Sequence, residues 1–204
     1  MNLKEFKNLV DLFFYQSEKQ NSQNVFLEWL NPKNNKKYTW GETSLNIYKL
    51  AKTIKTNIAD GDRCLLVSEN RPEWLIADIA IMLANGITVP AYTTYTEKDY
   101  KYLIEDCQPS TIIVSNEEMH DKLKNIINEK SFIKKVITFE KIKDVDYKNK
   151  YLDFVSIVKE NLQESDKIKN SSIKRNSPAC IIYTSVTGGN PKRVILSHGR
   201  ILNN

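Results

Sequence analysis

Arg63-Cys64-Leu65-Leu66-Val67-Ser68-Glu69-Asn70-Arg71-Pro72-Glu73-Trp74-Leu75-Ile76-Ala77-Asp78-Ile79-Ala80-Ile81-Met82-Leu83-Ala84-Asn85-Gly86-Ile87-Thr88-Val89-Pro90 is the stretch that decides the fold. Its first six residues form a short, nearly all-apolar run, the pattern of a strand covered on both faces. Asn70 reads as a helix cap with Glu73 three residues on, and a helix is predicted over 71–84. That helix is apolar nearly all round, which places it deep in the core. Asn85-Gly86 supplies a stop, and 87–90 returns as a strand. Strand, buried helix and strand with short joints make a parallel β–α–β unit.

The alternation continues outward. Towards the C-terminus, Thr96 caps a helix ending at Cys107, with a strand over 111–114, a helix over 117–128, a strand over 135–139 and a short helix over 153–162. Towards the N-terminus, Leu3, Phe6, Leu9, Val10, Phe13 and Phe14 recur at helical spacing. A strand over 25–30 and a returning arm over 37–39 make a hairpin, and Thr39-Trp40-Gly41-Glu42 is a capping box opening a helix to about 57. The fold class is α/β: a parallel sheet with helices on both faces, preceded by a helix and a β-hairpin. Residues 1–164 form the N-terminal α/β subdomain. The polar, Lys- and Ser-rich stretch 165–177 reads as a mobile linker, and 178–204 opens a further subdomain.

Composition narrows the function classes. Hydrophobic residues at 41% and charged residues at 27% are globular values rather than those of a disordered tail. The formal net charge is +5, but the lysines are evenly spread with no Arg–aromatic stripe, which argues against a nucleic-acid partner. Cys64, Cys107 and Cys180 are far apart and odd in number, arguing against a disulfide framework or a zinc site and for buried thiols. No run approaches the roughly 18 apolar residues of a membrane span, and the first residues lack a secretory apolar core. The expected location is the cytoplasm, with peripheral membrane contact left open.

The last part of the chain carries the chemistry: Ile181-Ile182-Tyr183-Thr184-Ser185-Val186-Thr187-Gly188-Gly189-Asn190-Pro191-Lys192-Arg193-Val194, running on to Leu196-Ser197-His198. An apolar strand breaks into hydroxyls, two glycines, a proline and a lysine, then becomes a strand again. Small residues let backbone N–H groups approach an anion, hydroxyls add donors, and Lys192 adds a charge. Taken alone, the same stretch also reads as a plain turn between two strands.

This stretch resembles the phosphate-binding signature of the AMP-forming acyl-adenylating enzymes: acyl-CoA synthetases, luciferase-like ligases and peptide-synthetase adenylation domains. Their pattern is Tyr-Thr-Ser-Gly-Thr-Thr-Gly-x-Pro-Lys-Gly, followed by a strand and Ser-His. Three positions depart from it. Val186 and Arg193 stand where the family has glycine, and Gly188 where it has threonine. Thr39–Glu42, Gly61–Arg63, 68–74, Ala77-Asp78, 88–92 and 102–106 are similar to segments of bacterial long-chain fatty-acid:CoA ligases, so the resemblance runs along nearly the whole chain.

The resemblance implies a two-step reaction in which a fatty-acid carboxylate attacks the α-phosphate of ATP with Mg2+, and coenzyme A then displaces AMP. It implies that Thr184, Ser185 and Thr187 offer hydroxyls to the phosphates, Gly188 and Gly189 close backbone approach, and Lys192 a cation. Valine at 186 is a poor choice if that position needs a left-handed backbone, at about 1–2 kcal/mol, and the departures together imply a weakened phosphate site. His198 reads as capping or packing, and Glu69, Glu73 and Asp78 as structural carboxylates around a helix start. The family's catalytic and metal-binding residues lie downstream of Asn204, so the chain reads as an N-terminal fragment, inactive alone and served by a separate C-terminal portion. A non-catalytic relic or interaction protein, and a small nucleotide-binding module, stay open beside it.

Overall fold

The computed structural model describes residues 2–31, 35–169, 172–186 and 189–203. A 3-10 turn (Leu3–Glu5) precedes α1 (Leu9–Glu18), the strands β1 (Val25–Trp29) and β2 (Lys36–Thr39), and α2 (Trp40–Lys55). Next come β3 (Arg63–Val67), α3 (Pro72–Leu83), β4 (Ile87–Ala91), α4 (Glu97–Cys107) and β5 (Thr111–Val114). They are followed by α5 (Glu117–Asp121), α6 (Lys124–Glu129), β6 (Lys135–Thr138), β7 (Tyr151–Asp153) and α7 (Phe154–Lys159). β8 (Pro178–Val186), β9 (Gly189–Ser197) and α8 (His198–Leu202) complete the described elements.

β1 and β2 form the expected antiparallel hairpin, and seven strands form one sheet in the order β7-β6-β5-β3-β4-β8-β9. Pairing is parallel from β7 to β8, and β9 alone runs antiparallel, on β8. Successive side chains of a strand point to opposite faces, and both faces of this sheet are covered. Cys64 and Leu66 of β3 enter the core under α2, α3 and α7, while Leu65 and Val67 enter the core under α4, α5 and α6. All four are fully buried, which is why β3 reads as an unbroken apolar run rather than an alternation.

The local signals behave as their chemistry requires. Thr39 accepts from the Glu42 N–H at 3.1 Å, and Glu42 Oε2 accepts from the Thr39 N–H at 2.8 Å, closing the capping box of α2. Asn85 takes the left-handed conformation (φ 64°) after α3, and Gly86 has no room for a side chain: a Cβ would lie 2.9 Å from Ile58 Cδ1. The α3 cap differs from expectation. The capping residue is Arg71, without a side-chain cap bond, and Pro72 opens the helix in place of a capping Asn70. The helix expected over 117–128 is two short helices, α5 and α6.

Two longer-range sets of contacts cross the boundaries read from the sequence. The polar stretch read as a mobile linker is tied down at several points: Ile173 is buried, its carbonyl accepts from Asn8 Nδ2 at 3.0 Å, and Asp166 pairs with Lys52 at 2.8 Å. The strands of 178–204, set apart in the sequence as the start of a further subdomain, extend the sheet of the first through β4 and β8.

Candidate functional site

β3 leads through α3 to β4 on one side, and β4 leads through α4 to β5 on the other side of β3. The helices lie on opposite faces, so the connections diverge, and the carboxyl ends of such strands are where open α/β sheets take ligands. Here those ends border a cavity of about 500 Å³ lined by Ser68, Asn70, Trp74, Tyr92, Ile182 and Tyr183, among others.

β8 forms one wall of this cavity and continues beyond it as a hairpin with β9. The register pairs Tyr183 with Arg193, Thr184 with Lys192 and Val186 with Gly189. Two steps along β8 match three along β9 in the last interval, so the extra residue falls at Asn190-Pro191, where proline has no N–H to give a ladder. Thr184 and Lys192, the described hydroxyl and cation of the sequence-predicted set, are exposed and cross-strand neighbours, with Thr184 Oγ1 donating to the Lys192 carbonyl at 3.4 Å. Among the described residues none forms an ion pair with Lys192. Ser185 and Val186 lie in the backbone of β8 and Gly189 in that of β9, whereas Thr187 and Gly188 fall outside the described residues. Val186 thus sits at an extended, paired strand end.

Beneath the cavity, Arg71 is buried among carboxylates. Its Nε donates to Glu73 Oε2 at 2.9 Å, and its Nη1 donates to Glu140 at 2.8 Å and to Glu69 at 3.2 Å. The guanidinium also stacks over Trp29 of the hairpin, 4.5 Å from the ring centre. Glu73 accepts in addition from Lys36 and from the Tyr38 hydroxyl, each at 3.0 Å. Burial pushes the Glu73 carboxyl up, but Arg71 and Lys36 outweigh it and hold it below the usual carboxylate range. The network bolts β1–β2 to the carboxyl end of the sheet. It makes Glu73 a buried ion-pair partner, a stronger structural role than a macrodipole carboxylate.

Two titratable groups in poorly solvated surroundings stand apart from it, Asp78 half-buried and His198 buried. Asp78 borders an apolar cavity of about 510 Å³ between α1, α3, β4 and β8, where burial pushes its carboxyl up to about 6. His198 packs as expected: its Nδ1 accepts the Leu9 N–H at 3.3 Å, and burial lowers its pKa to about 4. The three cysteines are free and buried.

With that geometry in place, the comparisons are specific. The family model described as "AMP-binding enzyme" matches residues 13–204. The chain is 31% identical over 134 residues to the long-chain-fatty-acid–CoA ligase ACSBG2 of Xenopus laevis, covering 65% of this chain and 18% of that one. It is 25% identical over 171 residues to ACSBG1 of Bos taurus, covering 80% and 24%. The chain therefore spans no more than about a quarter of these relatives. An anthranilate CoA ligase, AuaEII, solved with anthranoyl-AMP, superposes with a TM-score of 0.78 at 18% identity, over 97% of this chain and 36% of that one. A luciferase-like enzyme of the mealworm Zophobas morio superposes with a TM-score of 0.79 at 20% identity, over 98% and 44%. At these identities the two structures speak for the fold alone.

Proposed function

The chain belongs to the AMP-binding enzyme family, and from that premise we propose that it is the N-terminal part of an AMP-forming fatty-acid:CoA ligase. The reaction is attack of a fatty-acid carboxylate on the α-phosphate of ATP, expelling pyrophosphate, then displacement of AMP by the thiol of coenzyme A. The observation that carries this reading is the β8–β9 hairpin, which presents Thr184 and Lys192 at the carboxyl end of the sheet, exposed and side by side. An ammonium and a hydroxyl suit phosphate oxygens, since both donate hydrogen bonds and one adds positive charge. Ser185, Thr187, Gly188 and Gly189 complete the proposed set as further hydroxyls and close backbone donors. Mg2+ would arrive with the nucleotide, because hydroxyls and an ammonium are not its carboxylate ligands.

The loop is proposed to be weak. Pairing of Val186 with Gly189 engages β-ladder positions at the place where free N–H groups would otherwise cradle an anion. The remaining partners, in this reading, are fatty acid and coenzyme A, in the cytoplasm, with the catalytic residues supplied by the C-terminal portion of the ligase. The strands of 178–204 then open a further subdomain that rests here on β4. A fatty-acid-dependent ATP–pyrophosphate exchange assay with Mg2+ tests the proposal. The 204-residue chain should give background exchange, and the same chain continued through a relative's downstream sequence should exchange. Exchange by the short chain would refute the assignment of the missing parts; silence of the long chain would favour a non-catalytic relic, a reading to which the pairing of Val186 also points.

A further inference from the structure

The hairpin is held from the side. Among the described residues its ladder to β4 has one paired position, Thr88 with Cys180; in that parallel register Ala91, the last residue of β4, is level with Tyr183, so the tip from Thr184 to Lys192 runs beyond its neighbouring strand. Support comes instead from α4. Tyr102 and Asp106 are four residues apart and therefore stack on one face of that helix. Asp106 Oδ2 accepts from the Tyr183 hydroxyl at 2.5 Å and from Arg193 Nη1 at 3.4 Å, and the Tyr102 hydroxyl donates to the Pro191 carbonyl at 3.3 Å. Tyr183 and Arg193 are a cross-strand pair. One carboxylate thus grips both strands at the same rung, and Tyr102 adds a second grip on β9 beside the extra residue.

We propose that Asp106 is a positioning residue for the phosphate loop, acting through Tyr183 and Arg193. The argument turns on the period of a strand. Side chains alternate between faces, so fixing the rung Tyr183–Arg193 against α4 turns the next rung, Thr184–Lys192, to the opposite face. The hydroxyl and the cation are then held ready on one side of a hairpin tip that extends past β4. Tyr183 is the stronger arm, being 3% exposed and bonded to the Asp106 side chain at 2.5 Å. Arg193 is the weaker one, since its pair is exposed to solvent. In this chain Arg193 is accordingly a hook, and restoring the family's glycine at that position loosens the loop.

This inference rests on the phosphate-loop reading, and the two are separable in one experiment. Hydrogen–deuterium exchange of the hairpin amides is followed on the 204-residue protein and on Asp106→Ala, Asp106→Asn, Tyr183→Phe and Arg193→Gly, with ATP binding titrated on the same samples. Asp106→Ala and Tyr183→Phe should speed exchange over 181–194 by about tenfold, with β3 and β5 unchanged. Asp106→Asn, which keeps an acceptor, should recover much of the protection, and Arg193→Gly should show the smallest gain in rate. ATP affinity should fall in the same order. Unchanged exchange in both Asp106→Ala and Tyr183→Phe overturns the tether. Loosened amides with undiminished ATP affinity overturn the positioning role, and loosened amides with no ATP binding in any sample keep the tether and overturn the phosphate-loop reading.

Discussion

The centre of the sheet and its outer hairpin both contain apolar runs but are held in different ways. β3 has a strand on each side and a helical layer on each face, and its inward side chains are fully buried. β9 is the edge strand beyond β8, and its Val194 and Ile195 remain 41% and 55% exposed. The centre is stabilised by burial, at roughly 1.5–3 kcal/mol for each large aliphatic side chain removed from water. The hairpin is held by its own antiparallel ladder, by burial of Ala179, Ile181 and Tyr183 on its inner strand, and towards its tip by a few polar grips from α4. The lesson is a division of labour: a rigid platform made by packing carries a chemical element that a handful of hydrogen bonds can aim.

Substitutions in the two regions should therefore differ in size and in what they disturb. The largest loss is expected from Leu66→Ala, in the fully buried middle of β3. It should cost about 3–5 kcal/mol in denaturant unfolding. A loss below 1 kcal/mol would break the contrast. Next comes Glu73→Ala, which removes the buried partner of the Arg71 Nε, leaving Glu140 and Glu69 on Nη1, and takes Lys36 and Tyr38 of the β1–β2 hairpin from their shared acceptor. It should cost about 3 kcal/mol, and Arg71 and Glu73 replaced together should cost less than the two separate losses summed.

The pH dependence sharpens the comparison because two poorly solvated groups pull in opposite directions. Asp78, raised to about 6, holds its proton more tightly in the folded chain, so its contribution is full below the unfolded value near 3.8 and is lost as pH rises through 6. His198, lowered to about 4, contributes fully above its unfolded value near 6.5 and is lost as pH falls through 4. Between pH 4 and 6 the two slopes offset each other. Asp78→Asn should remove one of them, raising stability by about 2–3 kcal/mol at pH 7.5 and hardly at pH 4. A stability gain independent of pH would contradict the assignment. The smallest effect belongs to the hairpin: Val186→Gly should leave the melting temperature within a few degrees while tightening ATP binding by about tenfold, the equivalent of about 1.4 kcal/mol. Equal ATP affinity in the two proteins would remove Val186 as the weak point.

Much of the platform was legible in the sequence because its signals are local. The apolar run of β3, the Thr39–Glu42 box and the Asn85-Gly86 stop each act within a few residues, and each appears where expected. What was missed depends on partners far along the chain. Arg71 displaces Asn70 at the start of α3 while its guanidinium is engaged by Glu140, sixty-nine residues away. The polar stretch 165–177 has no periodicity of its own, yet Ile173 is buried and meets Asn8, 165 residues away in sequence. At the hairpin, the spacing of hydroxyls, glycines and lysine was visible, but the grip of Asp106 on the Tyr183–Arg193 rung was not. No motif announces a contact made across 77 and 87 residues.

The most direct test of the central claim is a calorimetric titration of ATP into the 204-residue protein beside Lys192→Ala and Thr184→Ala. The account predicts weak, saturable binding by the parent that falls by about tenfold or more without the Lys192 ammonium and by less without the Thr184 hydroxyl. Identical isotherms for all three proteins would contradict it, because the exposed pair at the end of the β8–β9 hairpin would then take no part in holding a phosphate.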